Sequence, residues 1–351
     1  MSDIPQMQSA WRIHRAGAPR DPGVLSLDQV PVPKPLKGQA LVKVEAAALN
    51  PVMHKLVFRL PWPLIKRPKI VESDFTGTVV DANGTNFKNG DRVFGALELN
   101  DNANGALAQY VAVDENHAGV VPDRLTVEQA AGLAVVGATI IEAGDRGGIL
   151  TGPDGGSVDG TGKHVLVTAG SSSVGTSMIQ LLKSLGYTTH TSCSTANVEF
   201  VKSLGAEVVY DYKKAPVLEQ LKTTPPPVKF SAIIDIVGEV DLYSHSNEYL
   251  DPKGNFVVIG TPVHGAKDVP GYVLSSNFAK RRPTWLGGPA VKRQSFLASA
   301  SKITVDRLRA ATEKGWMTPV VDSTYEFSDL LSAYDRIMTG RAKGKVVIRV
   351  P

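Results

Sequence analysis

The chain has one cysteine, Cys193, among 351 residues. No disulfide can form within it, and a zinc centre built on several thiolates is excluded. Its seven histidines, His14, His54, His117, His164, His190, His245 and His264, are scattered. No two fall within one helical turn, so they form no ligand pair of the kind a metal-binding helix presents, and no metal is expected. Long apolar runs are missing too. Nothing reaches the ~18 residues of a membrane-spanning helix, and the opening MSDIPQMQSAWRIHRAGAP has no apolar signal segment. The expected setting is the cytoplasm, with no membrane contact. Charge of one sign is also scarce, at a net +4. The densest basic stretches, AKRRP (279–283) and GRAKGK (340–345), read as solvated loops or local anion contacts, so no nucleic-acid partner is expected.

What is present is an ordinary globular composition, 42% hydrophobic and 21% charged, in a chain too long for one core. Its first third reads as short strands and loops. QALVKVEAAAL (39–49), FTGTVVDANG (75–84, closing on an Asn-Gly turn), GDRVFGAL (90–97) and GALAQYVAVD (105–114) are strand-like. Thr126 followed by Gln129 has the form of a capping box and opens a helical run. From HVLVTA (164–169) onward, strands and helices alternate, and the strands are rich in apolar β-branched residues. That rhythm predicts an α/β fold with a doubly wound parallel sheet. It fades after Gly260. Two amphipathic helices and a last strand, KGKVVIRVP, follow, and this strand is expected to return to the first domain. The expected division is 1–128, 129–275 and 276–351.

A scarcity of glycine in one loop raises the functional question. TAGSSSVGTSMIQLLKSLG (168–186) sits between a strand and a helix, where a dinucleotide-binding loop belongs, yet serines stand where glycines are usual. Such a loop needs a tight turn, close backbone approach to the pyrophosphate, and tight packing of helix on strand. Gly170, Ser171, Ser172, Ser173, Val174 and Gly175 retain small residues throughout and the final glycine. The serine hydroxyls add donors for phosphate. A plain strand-to-helix turn is the alternative. GTGKH (160–164) fails as a P-loop, because position 157 is serine and His164 follows the lysine. At the end of the second strand, Ser192 and Ser194 occupy the place of the acid that holds an NAD ribose. Asn197, Tyr212 and Lys213 lie nearby in sequence and offer donors to a 2′-phosphate. The cofactor expected is NADPH.

These segments, taken together, resemble the zinc-independent medium-chain dehydrogenase/reductase superfamily, and most closely its quinone oxidoreductases and fungal trans-acting enoyl reductases. The resemblance runs through ALNPVMHK (48–55), SDFTGTVV (73–80), NGDRVFG (89–95), GSSSVGT (170–176) and GRAKGKVVI (340–348). It implies a GroES-like β-barrel-type domain interrupted by a Rossmann domain. It places Asn50, Lys55 and Thr139 near the nicotinamide and substrate as catalytic candidates. It sets Val237, Gly238, Ile259, Gly260, Thr261 and Lys345 along the cofactor. Met53 stands where the family motif has aspartate. The activity implied is metal-free hydride transfer from NADPH to an activated C=C bond of a small-molecule enone, enal or enoyl thioester. A quinone reductase and a non-enzymatic NADPH-binding regulatory protein are the alternatives. A homodimer is the commonest state of a soluble oligomer, and an acyl-carrier or synthase partner is compatible with the reading. For Lys55 a plain surface lysine, and for Asn50 a turn residue before Pro51, are the competing roles.

Overall fold

The computed structural model describes residues 4–60, 65–98, 101–151, 156–157, 159–260 and 269–351. They divide into two units. Unit 1 is Met1–Ala138, Ser299–Lys314 and Thr318–Pro351, and unit 2 is Thr139–Ala298 and Gly315–Met317. The boundaries differ from 128 and 275 for identifiable reasons. The helix Val127–Ala131 stays with unit 1 because Ala131 packs into a cluster with Ala46, Ala48 and Val347. Residues 276–298 stay with unit 2 because Arg293–Ser295 adds a strand to its sheet, beside Leu250–Val258.

Unit 1 is built around the strand Gln39–Ala48. It pairs antiparallel with Asp74–Asp81, with Tyr110–Asp114 and with the C-terminal strand Lys345–Arg349. The last pairing brings two sequence-distant motifs, ALN and GKVV, side by side: Val347 lies opposite Ala48. Asp74–Asp81 closes on Asn83 and Gly84, both at positive φ (44° and 77°), the backbone that an Asn-Gly turn is made for. Of the expected strand 105–114, only Tyr110–Asp114 joins the ladder. The Ala106 and Leu107 N–H groups bond instead to the Glu72 and Val71 carbonyls. The helical run after Thr126 is two helices, Val127–Ala131 under the predicted capping box and Ala134–Arg146, with Gly132 capping the first. Phe58, Phe75, Leu49, Met53 and Tyr334 sit in one buried cluster. Full burial of each such side chain contributes roughly 1.5–3 kcal/mol.

Unit 2 carries a six-stranded parallel sheet. Its spatial order is Val208–Asp211, Thr188–Cys193, His164–Val167, Phe230–Asp235, Leu250–Val258, Arg293–Ser295. The chain starts in the middle, at His164–Val167, moves outward one way, then returns to the other side. The strand order therefore reverses beside His164–Val167, and the loop that follows this strand lies at the switch point where open α/β sheets bind ligands. The helix Ser173–Ser184 leaves this loop with Met178, Ile179, Leu181 and Leu182 buried, an apolar stripe at helical spacing.

Candidate functional site

The serine-rich loop of unit 2 turns on an alanine. Ala169 has φ +52°, a left-handed conformation that costs an L-residue roughly 1–2 kcal/mol. What holds it is the next strand. The Ala169 N–H donates to Ser192 Oγ at 3.1 Å, and the Gly170 N–H donates to the Ser192 carbonyl at 2.8 Å. A Cβ on Gly170 would lie 2.1 Å from Thr191 Oγ1, and one on Gly175 would lie 2.4 Å from the Ala169 carbonyl oxygen. The two surviving glycines are thus at the two contacts that tolerate no side chain. Ser172 is the N-cap of Ser173–Ser184, its Oγ accepting from the Gly175 N–H at 3.1 Å. The first-turn N–H groups of Ser173 and Val174 have no partner within the helix, so they and the helix dipole are available to an anion. This arrangement fits a dinucleotide pyrophosphate.

Two residues not singled out from sequence organise the neighbouring strand ends. Thr168 Oγ1 donates to Asp235 Oδ1 at 2.9 Å and accepts from the Ile236 N–H at 2.8 Å. Asp235 Oδ1 also accepts from the N–H groups of Val237 (3.1 Å) and Gly238 (2.9 Å), fixing the turn in which Gly238 takes φ +88°. The Ile259 N–H bonds to the Asp235 carbonyl, and a Cβ on Gly260 would lie 1.9 Å from the Ile236 carbonyl oxygen. Val237, Gly238, Ile259 and Gly260 are thereby brought together past the C-terminal ends of two adjacent strands, Phe230–Asp235 and Leu250–Val258. Burial holds the Asp235 carboxyl above its usual range, and its Oδ2 has no partner among the described residues. Thr261 lies outside the described residues. The signal for Asp235 was a lone acid inside the apolar run AIIDIVG, which ends at the switch point.

On the ribose side, the structure separates the two serines. Ser192 is 2% exposed and its hydroxyl is engaged by Ala169, so it supports the loop from beneath instead of facing a ribose. Ser194 is half-buried, at the end of the strand. Asn197 donates through Nδ2 to Ser171 Oγ at 3.0 Å, and its buried Oδ1 has no partner among the described residues. Tyr212 is 48% exposed, and the Lys213 ammonium stands 5.7 Å from its ring centroid. Asp211, just before them, turns its carboxylate to the Thr195 hydroxyl and the Lys213 N–H. An exposed ring with a cation over it, beside half-buried amide and hydroxyl groups, can take an adenosine bearing a phosphate.

Unit 1 gathers a polar cluster in its core. The Lys345 ammonium donates to Asp74 Oδ2 and to Asn50 Oδ1, each at 2.8 Å, with Lys345 3% and Asp74 0% exposed. Asn50 Nδ2 donates to Asp74 Oδ2 at 3.1 Å and to the Ala48 carbonyl at 3.3 Å. The Asn50 N–H donates to Glu72, which also accepts from Tyr334. Lys345, expected along the cofactor, is therefore committed to a buried ion pair at the strand junction formed by ALN and GKVV. The Asn50 amide is likewise occupied on both atoms. Lys55 differs. It is exposed on the turn Met53–Val57, yet partial loss of hydration, then the Arg59 charge, holds its ammonium below the usual lysine range. Its neighbour His54 is pushed down to about 4 by burial first, then by Lys55 and Arg59. Met53, in the place of the motif's aspartate, is 0% exposed and packs in the core cluster. Thr139, 7% exposed, is the first residue of unit 2 and sits on the helix Ala134–Arg146.

Comparison with known proteins identifies the family and the fold. A family model described as an alcohol dehydrogenase GroES-like domain matches residues 36–123, and one described as a zinc-binding dehydrogenase matches 204–348. Among the described residues there is no group of three or more His, Cys, Asp or Glu placed to hold a metal ion. The chain is 31% identical to the trans-enoyl reductase pgmF of Aspergillus terreus, over 99% of its own length and 98% of that protein's. It is 31% identical to a chloroplast envelope quinone oxidoreductase homolog of Arabidopsis thaliana, over 91% and 92% of the two chains. The solved quinone oxidoreductase of Coxiella burnetii superposes with a TM-score of 0.78 at 25% identity, covering 98% of this chain and 100% of that one. The chain belongs to the medium-chain dehydrogenase/reductase superfamily of oxidoreductases, whose members bind NAD(P).

Proposed function

We propose that the chain is an NADPH-dependent reductase of activated C=C bonds in enones, enals or enoyl thioesters. The observation that carries the cofactor half is the edge of unit 2 at Ser194, Asn197, Tyr212 and Lys213. A cation and neutral donors stand there, and Asp211, the carboxylate next to Tyr212 in sequence, is taken up by Thr195 and a backbone N–H. A 2′-phosphate gains charge-assisted bonds in such a place that a bare ribose cannot make. The substrate half draws on the likeness to trans-enoyl reductases over nearly the whole chain. Bound NADPH supplies the hydride. The protein then has to orient the acceptor and stabilise the charge that develops on its carbonyl oxygen. Lys55 suits the second task, because an ammonium held below its ordinary range is a readier proton donor. Thr139 is read as orienting the nicotinamide through its hydroxyl. Asn50, with its amide committed to Lys345 and Asp74, is read as a rigid element behind Lys55.

The quinone oxidoreductases among the relatives support a second reading, in which the same residues deliver hydride to a quinone. The test is NADPH oxidation followed optically with enones, enals, enoyl thioesters and quinones as separate acceptors. Higher kcat/KM with the alkenes supports the proposal, and higher values with quinones favour the second reading. Tight NADPH binding with no turnover of any acceptor would instead identify a regulatory NADPH-binding protein. A small-molecule substrate is common to both enzyme readings, and cytoplasmic location and a homodimer remain part of the proposal.

A further inference from the structure

Glu72 combines two unfavourable features at one position. Its side chain is 2% exposed, and its backbone lies at φ +65°, a region that a glutamate rarely adopts. Such a residue persists only where its surroundings hold it. Two donors converge on its carboxyl: Tyr334 Oη on Oε1 at 2.9 Å and the Asn50 N–H on Oε2 at 3.1 Å. Asn50 is gripped on its other side by Lys345 and Asp74, and Pro51 and the turn carrying Lys55 follow directly. Glu72 therefore holds the backbone N–H of the residue from which that turn departs, beside the bonds from the Leu49 N–H to the Val346 carbonyl and from the Met53 N–H to the Asn50 carbonyl. Three other titratable or charged groups bear on it. They are Tyr334 from the helix Leu330–Met338, Lys345 from the C-terminal strand, and Asp74 two residues along its own segment. The segment through Ala106 gives it only a backbone N–H.

We propose that Glu72 is a positioning residue for Asn50, and that its carboxyl takes up and releases a proton in the folded protein, holding Asn50 more firmly when ionised. This rests on the reading that the chain is a reductase served by the 50–55 turn. Chemistry permits both states. The Asn50 N–H can only donate, so a proton on Oε2 would oppose it. A proton on Oε1 meets Tyr334 Oη, which can rotate and accept. Tyr334 thus satisfies either form, while the bond from Asn50 changes from charge-assisted to neutral and loses roughly half its strength. With Glu72 ionised, the cluster holds two carboxylates and one ammonium; with Glu72 protonated, it is neutral. Burial favours the neutral cluster and pushes the Glu72 carboxyl up to about 8, against the lowering effects of Tyr334, Lys345 and Asn50.

The test compares the parent chain with Glu72→Gln, which still accepts from Asn50 and donates to Tyr334 but does not titrate. Folded Glu72 keeps its proton up to about 8, whereas the unfolded chain releases it near 4.5. Between those values the folded form binds more protons, so parent stability falls as pH rises through the window and levels off above it. The melting temperature of Glu72→Gln should gain on the parent across that window. With NADPH and benzylideneacetone or menadione, the ratio of parent to variant kcat should rise about fivefold from about pH 6 to about pH 9.5. KM for NADPH should stay the same in both, since the dinucleotide loop belongs to unit 2. The parent alone gives a further reading: the infrared carbonyl band of a buried protonated carboxyl should vanish near pH 8. A kcat ratio flat in pH overturns the positioning role. A flat melting difference with no such band overturns the proton. A parent that turns over neither probe overturns the functional reading, and the melting and infrared arms then decide on the proton alone.

Discussion

The Thr168 hydroxyl donates to Asp235 Oδ1 at 2.9 Å and joins the ends of the two central strands of the parallel sheet. Three backbone N–H groups, of Ile236, Val237 and Gly238, close on the same pair. One side chain thus shapes the turn that carries Val237 and Gly238, two residues proposed to border the cofactor.

Replacing Asp235 with alanine leaves the Val237 and Gly238 N–H groups without their acceptor. The expected loss is roughly 1–3 kcal/mol of stability, seen as a lower melting temperature, together with weaker dinucleotide binding. Asp235→Asn keeps an acceptor oxygen and should recover most of both. Unchanged binding in the alanine variant would separate this turn from the cofactor.

Gly175→Val places side-chain carbons where even a Cβ would come within 2.4 Å of the Ala169 carbonyl. Dinucleotide affinity should collapse, as measured by calorimetry. Ser172→Gly removes one cap bond and should cost only a few tenths of a kcal/mol. If Gly175→Val binds like the parent, the pyrophosphate does not sit at this loop.

Much of this was legible in the sequence because local chemistry decides it. The capping box at Thr126 and Gln129, the Asn83–Gly84 turn and the alternation after His164 are written in adjacent residues. The ribose-side serines show where that legibility stops. Ser192 and Ser194 are two residues apart, so strand alternation alone puts them on one face, yet Ser192 lies inside the strand, pinned beneath Ala169, and Ser194 lies just past its end, half-buried. Lys345 was readable as a motif residue but not as the partner of Asp74, 271 positions away. That contact exists only once the C-terminal strand pairs with Gln39–Ala48. Glu72 gave no sign at all, since its left-handed backbone is imposed by packing.

Acid should destabilise unit 2 through His190. This ring is 1% exposed, bonded to His164 Nδ1 at 3.0 Å and to Tyr210 Oη at 3.1 Å, and burial pushes it down to about 4. An unfolded histidine takes its proton near 6.5. As pH falls from there towards 4, the unfolded chain binds more protons and stability drops, by at most about 3 kcal/mol from this group. His190→Gln should lose that part of the acid dependence in melting curves taken at neutral and mildly acidic pH. Parallel curves for parent and variant would assign the acid sensitivity elsewhere.

Lys55→Ala should lower kcat while leaving melting temperature and KM for NADPH near the parent values. Loss of a donor acting mainly in the transition state costs roughly 3 kcal/mol, about a hundredfold in rate. Thr139→Ser keeps the hydroxyl and should be milder than Thr139→Ala. An unchanged kcat in Lys55→Ala would make it an ordinary surface lysine.

Cofactor choice bears most directly on the central claim, and calorimetric titration of the full chain with NADPH and with NADH measures it. The cation of Lys213, the Tyr212 hydroxyl and the amide of Asn197 should give a 2′-phosphate about 1.5–3 kcal/mol, or roughly 10- to 150-fold tighter binding of NADPH. Ser194→Asp, at the half-buried strand end, should reverse the order by repelling the phosphate and accepting from the ribose hydroxyls. Equal or tighter binding of NADH by the parent would contradict the assignment of this edge of unit 2 to NADPH.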